Sequence, residues 1–210
     1  IWHWAMRTFF RLLYGPLARL YDTVARLVSF GEWTEWGRIA LGYLSDPLVL
    51  ELGHGPGYLQ VAMARRGLAP VGLDPSPQMG LLARRRLTAD GFHPRLVRAR
   101  AQALPFADGT FPQIAATFPT EYIIHPHTIR EIKRVLPTEG KIVVVAAANI
   151  TGKSLPARFL EWLYHITGQR APTVPEASRA WADTGLVLEI ERVSTPRAQV
   201  LVVVGRPEPD

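Results

Sequence analysis

From Leu48 onward, short β-branched apolar runs alternate with amphipathic stretches along the chain. The runs LVLEL (48–52), PVGLD (70–74), RLVRA (95–99), QIAATF (113–118) and KIVVVAAA (141–148) read as strands, and helical spacing predicts helices over 58–66, 76–89, 127–136, 155–167 and 175–184. Pro77 and Pro156 stand near two helix starts, where a missing N–H costs little. Two further runs, LVLEIERV (186–193) and QVLVVVG (199–205), are separated only by Ser194-Thr195-Pro196-Arg197, a connection short enough for a hairpin. Strands alternating with helices predict βαβ units, so the chain reads as α/β with a largely parallel sheet and a C-terminal antiparallel hairpin.

The first 44 residues follow a different pattern. Met6, Phe9, Phe10, Leu13, Leu17, Leu20, Val24, Leu27 and Val28 recur at helical spacing with arginines on much of the remainder, and Gly15-Pro16 should break the stripe into two helices. Four of the six Trp fall here, with three of the six Tyr. The expected organisation is one domain, with a helical cap or lid over 1–44 and a core over 45–210. A lid of this composition could also touch a membrane surface through its aromatics and arginines.

At 210 residues and 48% hydrophobic, the chain is long enough for a sizeable core and too apolar for wholesale disorder. The absence of cysteine excludes disulfides, thiolate metal sites and a cysteine nucleophile. No stretch approaches ~18 uninterrupted apolar residues, so no spanning helix is expected. Arg7, Arg11 and Arg19 interrupt the N-terminal segment where a cleaved signal would be continuously apolar, with Met6 one candidate start; the expected location is cytoplasmic, with peripheral membrane contact. The net charge of +6 raises nucleic acid as a partner, but the arginines are scattered. Their one run, Arg84-Arg85-Arg86, reads as a solvated helix face.

The densest chemistry lies in VLELGHGPGYL (49–59), where a strand ends at Glu51 and Gly53, Gly55 and Gly57 alternate before a helix. Such glycines allow a tight turn and close approach of backbone N–H groups to a ligand. Asp74 ends the second strand, placed to accept from both hydroxyls of an adenosine ribose. The dinucleotide fingerprint would need its third glycine at 58 or 60, where Tyr58 and Gln60 stand, and no phosphate-loop G-K-[ST] occupies this turn. Glu51 before a G-x-G-x-G loop suits S-adenosylmethionine, which carries an ammonium and a sulfonium and no phosphate. His54 reads as a shaping residue of the turn.

At this point the chain resembles the class I S-adenosylmethionine-dependent methyltransferases over about 48–148. ELGHGPG is similar to their first motif and GLDPSPQM to their second; RAQALPFADGTFPQI and EIKRVLPTEGKIVVV are similar to two later ones. The resemblance implies a Rossmann-like doubly wound sheet and S-adenosylmethionine as cofactor, with S-adenosylhomocysteine as product. It implies that Glu51, Gly53, His54, Gly55 and Gly57 shape the methionine side, that Asp74 holds the ribose, and that Pro75, Ser76, Met79, Ala101 and Gln102 lie near the adenine. Phe118 would begin the segment under the transferred methyl. Arg100, Pro112 and Thr138-Glu139-Gly140 depart from the family pattern.

Methyl transfer is an in-line displacement that needs a base only when the acceptor must lose a proton. Candidate bases are Glu121, Tyr122, His125 and His127 after the fourth strand, with Tyr14, Tyr21 and Asp22 nearer the N-terminus. His125-Pro126-His127 lacks an acidic cluster, so no metal is expected. TFPTEYIIHPH (117–127) is not the [DN]-P-P-[YFW] of base-flipping enzymes, which disfavours nucleic acid as acceptor. YDTVARLVSFGEWTEWGR (21–38) is similar to the segment ahead of the core in ubiquinone/menaquinone C-methyltransferases at Tyr21, Asp22, Ser29, Gly31 and Trp36, but lacks the M-N-D element and carries Trp33-Thr34 for H-R. Gly37-Arg38 resembles a step in bacterial phospholipid N-methyltransferases. With the aromatic stretch 155–167, these likenesses imply a small apolar or amphiphilic acceptor: a quinone, a lipid or an aromatic. A cofactor-binding scaffold without turnover and a nucleic-acid methyltransferase are the alternatives.

Overall fold

The computed structural model of the chain describes residues 32–150 and 174–208. Seven strands form one sheet: β1 (Leu48–Leu52), β2 (Ala69–Leu73), β3 (Leu96–Val97), β4 (Gln113–Thr117), β5 (Lys141–Ile150), β6 (Leu186–Ser194) and β7 (Ala198–Pro207). Their spatial order is β3-β2-β1-β4-β5-β7-β6. The first five pair in parallel, while β7 runs antiparallel to both β5 and β6. The described helices are α1 (Trp33–Arg38), α2 (Tyr58–Arg65), α3 (Pro77–Ala89), α4 (Pro126–Val135) and α5 (Val174–Trp181), with 3-10 turns at Ile39–Tyr43, Glu121–Ile124 and Ala182–Thr184.

Both faces of the sheet are covered, and the two-residue period of a strand sorts its side chains between them. On β5, Ile142 and Val144 join Ile129, Ile132 and Val135 of α4 and Trp181 of α5 on one side. Val143 and Val145 join Trp36 of α1, Leu59 and Met63 of α2 and the alternate residues of β7 on the other. Each expected strand and helix within the described residues is present, β1 with the bounds expected and the others with shifted ends. The third strand is the largest shift: five residues expected over 95–99 become Leu96–Val97, because its sole partner is β2 and its pairing stops at two positions. Ser76 caps α3 by accepting from Met79 N–H, with Pro77 in the first turn.

Residues 1–31 of the expected lid and the 155–167 stretch, with Tyr14, Tyr21 and Asp22, lie outside the described residues. The end of that first region, 32–44, packs directly on the sheet. Trp36, Ala40 and Leu41 are buried there, and Arg66 on α2 donates to the Leu41 carbonyl. Glu32 pairs with Arg197 at 3.3 Å, and the Tyr43 hydroxyl donates to Glu191 at 2.6 Å, joining this segment to the β6–β7 hairpin. No described helix is long and apolar enough to cross a membrane.

A second fastening crosses the opposite face. Arg134 on α4 donates to the carbonyls of Leu104 and Phe106 and to Asp108, and is itself bonded to Glu131, which accepts from Leu104 N–H. One planar guanidinium thus ties the segment after β3 to the helix after β4. Glu131 is held below the usual carboxylate range chiefly by its bond from Arg134.

Candidate functional site

The strand order reverses direction between β1 and β4, and in open α/β sheets ligands bind at the carboxyl ends of the strands beside such a switch point. An open cleft lies there. Glu51, Gly53, His54, Gly55, Pro56, Tyr58 and Leu59 line one side; Thr34 and Gly37 of α1 and Thr117 and Phe118 at the end of β4 complete it.

Gly53, Gly55 and Gly57 adopt left-handed φ values of 73°, 50° and 85°, which side chains disfavour. At Gly57, the residue before α2, a Cβ would stand 2.7 Å from the Cβ of Ala83, so α3 packs where only glycine fits. At Gly55 a Cβ would meet nothing within 4 Å, because the backbone there faces open space. Asp74 is 8% exposed and fastens this turn: its Oδ2 accepts from Gly55 N–H at 3.0 Å and its Oδ1 from Ser76 N–H at 2.8 Å.

Glu51 is 1% exposed. It accepts from the Gln60 side-chain amide at 2.8 Å, and burial pushes its carboxyl up to about 8, with Asp74 adding to the rise. Gln60 is fully buried, and its Oε1 has no hydrogen-bond partner among the described residues. His54 is buried too; its Nδ1 donates to the Gly55 carbonyl at 2.7 Å, and burial lowers its pKa. Gly72 on β2 leaves the room these two need, since a Cβ there would meet His54 at 2.9 Å and Gln60 at 3.1 Å.

Phe118 is the one non-glycine with positive φ among the described residues, at 47°. Its N–H donates to the Val145 carbonyl at 2.7 Å, which fixes the chain as it leaves β4. A non-glycine held in this region marks a constrained site.

The proposed site residues divide. Glu51, Gly53, His54, Gly55 and Phe118 line the cleft. Gly57 and Asp74 shape the turn behind it. Ser76 caps α3, Pro75 is exposed, Met79 and Ala101 are buried, and Gln102 is half-buried; none of these five residues of the adenine set lines the cleft. Of the described base candidates, Glu121, His125 and His127 are exposed, and Tyr122 donates to the Leu52 carbonyl at 3.1 Å; none lines the cleft either. His125 caps α4 by accepting from His127 N–H. Among the described residues no cluster of His, Asp and Glu could hold a metal ion.

Two expectations are corrected or extended. Arg86 does not belong to a solvated face with Arg84 and Arg85: it is half-buried, its guanidinium lies 3.8 Å over the Tyr58 ring and it donates to the Pro56 carbonyl, bracing the glycine turn. Thr34, Gly37, Gln60 and Gly72 were not assigned to the site; Gln60 had a signal, an amide at an interior position of the helix after the glycines.

The buried carboxyl, bonded among the described residues to a neutral amide, the open backbone at Gly55 and the loop-bound Asp74 fit a ligand with a cationic amino-acid end and a ribose. The methyltransferase-domain family matches residues 49–140. A demethylmenaquinone methyltransferase of Thermus thermophilus is 33% identical over 139 residues, covering 63% of this chain and 63% of that one. A ubiquinone/menaquinone biosynthesis C-methyltransferase of Geotalea uraniireducens is 27% identical over 142 residues, covering 63% of this chain and 60% of that one. The matched regions thus span under two thirds of these relatives. Among solved structures, a geranyl diphosphate C-methyltransferase from Streptomyces coelicolor superimposes with a TM-score of 0.61 at 17% identity, over 81% of this chain and 77% of that one. A possible histamine N-methyltransferase from Thermotoga maritima does so with a TM-score of 0.65 at 16% identity, over 94% and 99%.

The reversed final strand, the glycine turn and the methyltransferase domain matched over residues 49–140 are features of the class I S-adenosylmethionine-dependent methyltransferases, which this chain resembles. S-adenosylmethionine is the cofactor of that class.

Proposed function

We propose that the chain transfers a methyl group from S-adenosylmethionine to a small apolar, quinone-like acceptor. The observation that carries this reading is the continuity of one cleft from Glu51 and the glycine turn to Thr34, Gly37, Thr117 and Phe118.

When bound, the cofactor supplies an electrophilic methyl on a sulfonium. The chain's own part is to grip, align and exclude water. Glu51 would hold the ammonium end, and the backbone of Gly53–Gly57 would hold the amino-acid portion. Each Asp74 oxygen already accepts one backbone N–H and keeps a second lone pair for a ribose hydroxyl. Phe118 and Thr117 bound the reacting end. Thr34 and Gly37 close it from α1, where a Cβ on Gly37 would make an ordinary contact with Thr117 at 3.8 Å. Holding two reactants in line in such a cleft contributes roughly 7–11 kcal/mol to a displacement.

The quinone-like acceptor draws support from the named relatives and from the 21–38 likeness. An acceptor of that kind partitions into bilayers, which is consistent with work at a membrane surface. The test is transfer of radiolabelled methyl to demethylmenaquinol, set beside phosphatidylethanolamine vesicles and transfer RNA. Label in the extracted quinol supports the reading; label in the lipid or the RNA instead overturns the acceptor class. Cofactor binding without transfer to any of them favours a scaffold.

A further inference from the structure

Glu51 lies next to the end of β1 with 1% exposure, and among the described residues its one side-chain hydrogen bond comes from a neutral group. From α2 it receives only the neutral amide of Gln60, at 2.8 Å. From the end of β2, Asp74 presents a second carboxylate, and His54 in the glycine turn is held towards its neutral form by burial. From α1 come Thr34 and Gly37 on the cleft wall, while Glu35 is exposed and bonded to Arg38. Arg86 beside the turn is engaged with the Tyr58 ring and the Pro56 carbonyl.

Resting on the functional reading above, we propose that Glu51 exchanges its own proton for the cationic end of the ligand, releasing that proton to solvent on binding, and that Gln60 is the positioning residue that holds the carboxyl for the exchange. The carboxyl O–H bond breaks, the proton passes to buffer, and the ammonium takes its place as the partner of the carboxylate. No redox change is involved.

The Gln60 amide is suited to both states. Its Nε2 donates to the carboxylate, and its Oε1, buried without a partner among the described residues, is the acceptor that a carboxylic acid needs. A half-turn of the amide would present Oε1 where Nε2 stands. The pair replaces the fixed cation that a buried carboxylate otherwise requires. The carboxyl's rise to about 8 puts the exchange in the neutral range, since a ligand that favours the charged form must compete with the proton below that pH.

The experiment is calorimetric titration of the whole chain with S-adenosylhomocysteine, which carries the same ammonium without the sulfonium. Affinity is expected to rise about tenfold from pH 6 to pH 7 and to level off above pH 8. At pH 7, titrations in phosphate and in Tris should differ in enthalpy by the amount that release of nearly one proton dictates. Gln60→Leu, which keeps the bulk and removes the amide, should move the levelling-off to higher pH, and Gln60→Glu should weaken binding further by adding a like charge. Affinity that does not change with pH, equal enthalpies in the two buffers, or an unmoved profile in Gln60→Leu overturns the exchange while leaving the cofactor assignment intact. Absence of binding at every pH overturns the functional reading and the exchange together.

Discussion

The Tyr122 hydroxyl donates to the Leu52 carbonyl across 3.1 Å, and in that position it occupies the space a side chain at residue 53 would need. A Cβ on Gly53 would stand 2.6 Å from the Tyr122 oxygen, in a backbone with φ of 73°. Tyr122 therefore acts as a latch from the segment after β4 onto the turn after β1.

Gly53→Ala should consequently weaken S-adenosylhomocysteine binding by more than tenfold and lower stability by about 1–3 kcal/mol. Tyr122→Phe removes the clashing oxygen, so the double variant should recover part of the loss. Calorimetry and denaturant melts on the four proteins of the cycle decide it; strictly additive losses would show that the two residues do not meet.

Asp74 accepts from two backbone N–H groups at once. Asp74→Asn should thus turn an NH2 group towards one of those donors, and is expected to cost more than tenfold in S-adenosylhomocysteine affinity. The amide exchange protection of Gly55 should fall with it. Affinity within twofold of the parent would show that neither the turn nor the ribose depends on this carboxylate.

Glu51 in the ligand-free chain has its carboxyl raised to about 8, well above the ordinary value. A carboxyl raised on folding contributes stability that is full below its unfolded pKa and is lost as pH rises through the folded one. The parent should therefore lose stability between about pH 5 and pH 9 relative to Glu51→Gln, which has no proton to surrender. Thermal melts of the two proteins across that range should diverge in favour of the variant; parallel curves would mean that the carboxyl titrates normally.

Phe118 separates backbone strain from side-chain loss. Phe118→Ala and Phe118→Gly both remove the ring, but only glycine tolerates the φ of 47° without cost. The glycine variant should be the more stable of the two by about 1 kcal/mol, the reverse of the usual order in regular structure. Both should lose methyl transfer to any acceptor that the parent modifies. An alanine variant as stable as the glycine one would place no strain at this residue.

What the chain discloses on inspection follows from what is local. The turn at 53–57 was legible because positive φ demands glycine, and strand β5 because Ile142-Val143-Val144-Val145 is apolar towards both covered faces. The brief β3 was over-read, because how far RLVRA pairs depends on its neighbour and not on its own residues. Gly72, Arg86 and Gln60 escaped for a related reason. Each earns its place through a partner that only the fold brings alongside: Gly72 through His54 and Leu96, Arg86 through the Pro56 carbonyl, Gln60 through Glu51 across the glycine turn. The cleft wall at Thr34 and Gly37 emerges only when α1 lies beside β4.

The two sides of the cleft are moored to different parts of the molecule. The glycine turn is held by Asp74, Arg86 and Tyr122, whereas the segment bearing Thr34 and Gly37 is joined to the far hairpin through Glu32–Arg197 and Tyr43–Glu191 and seated by buried Trp36. Substitutions in the hairpin can tilt one wall without disturbing the other. A lineage built this way can change its appetite while keeping its fuel, and a library confined to 32–44 and 189–197 samples that freedom directly.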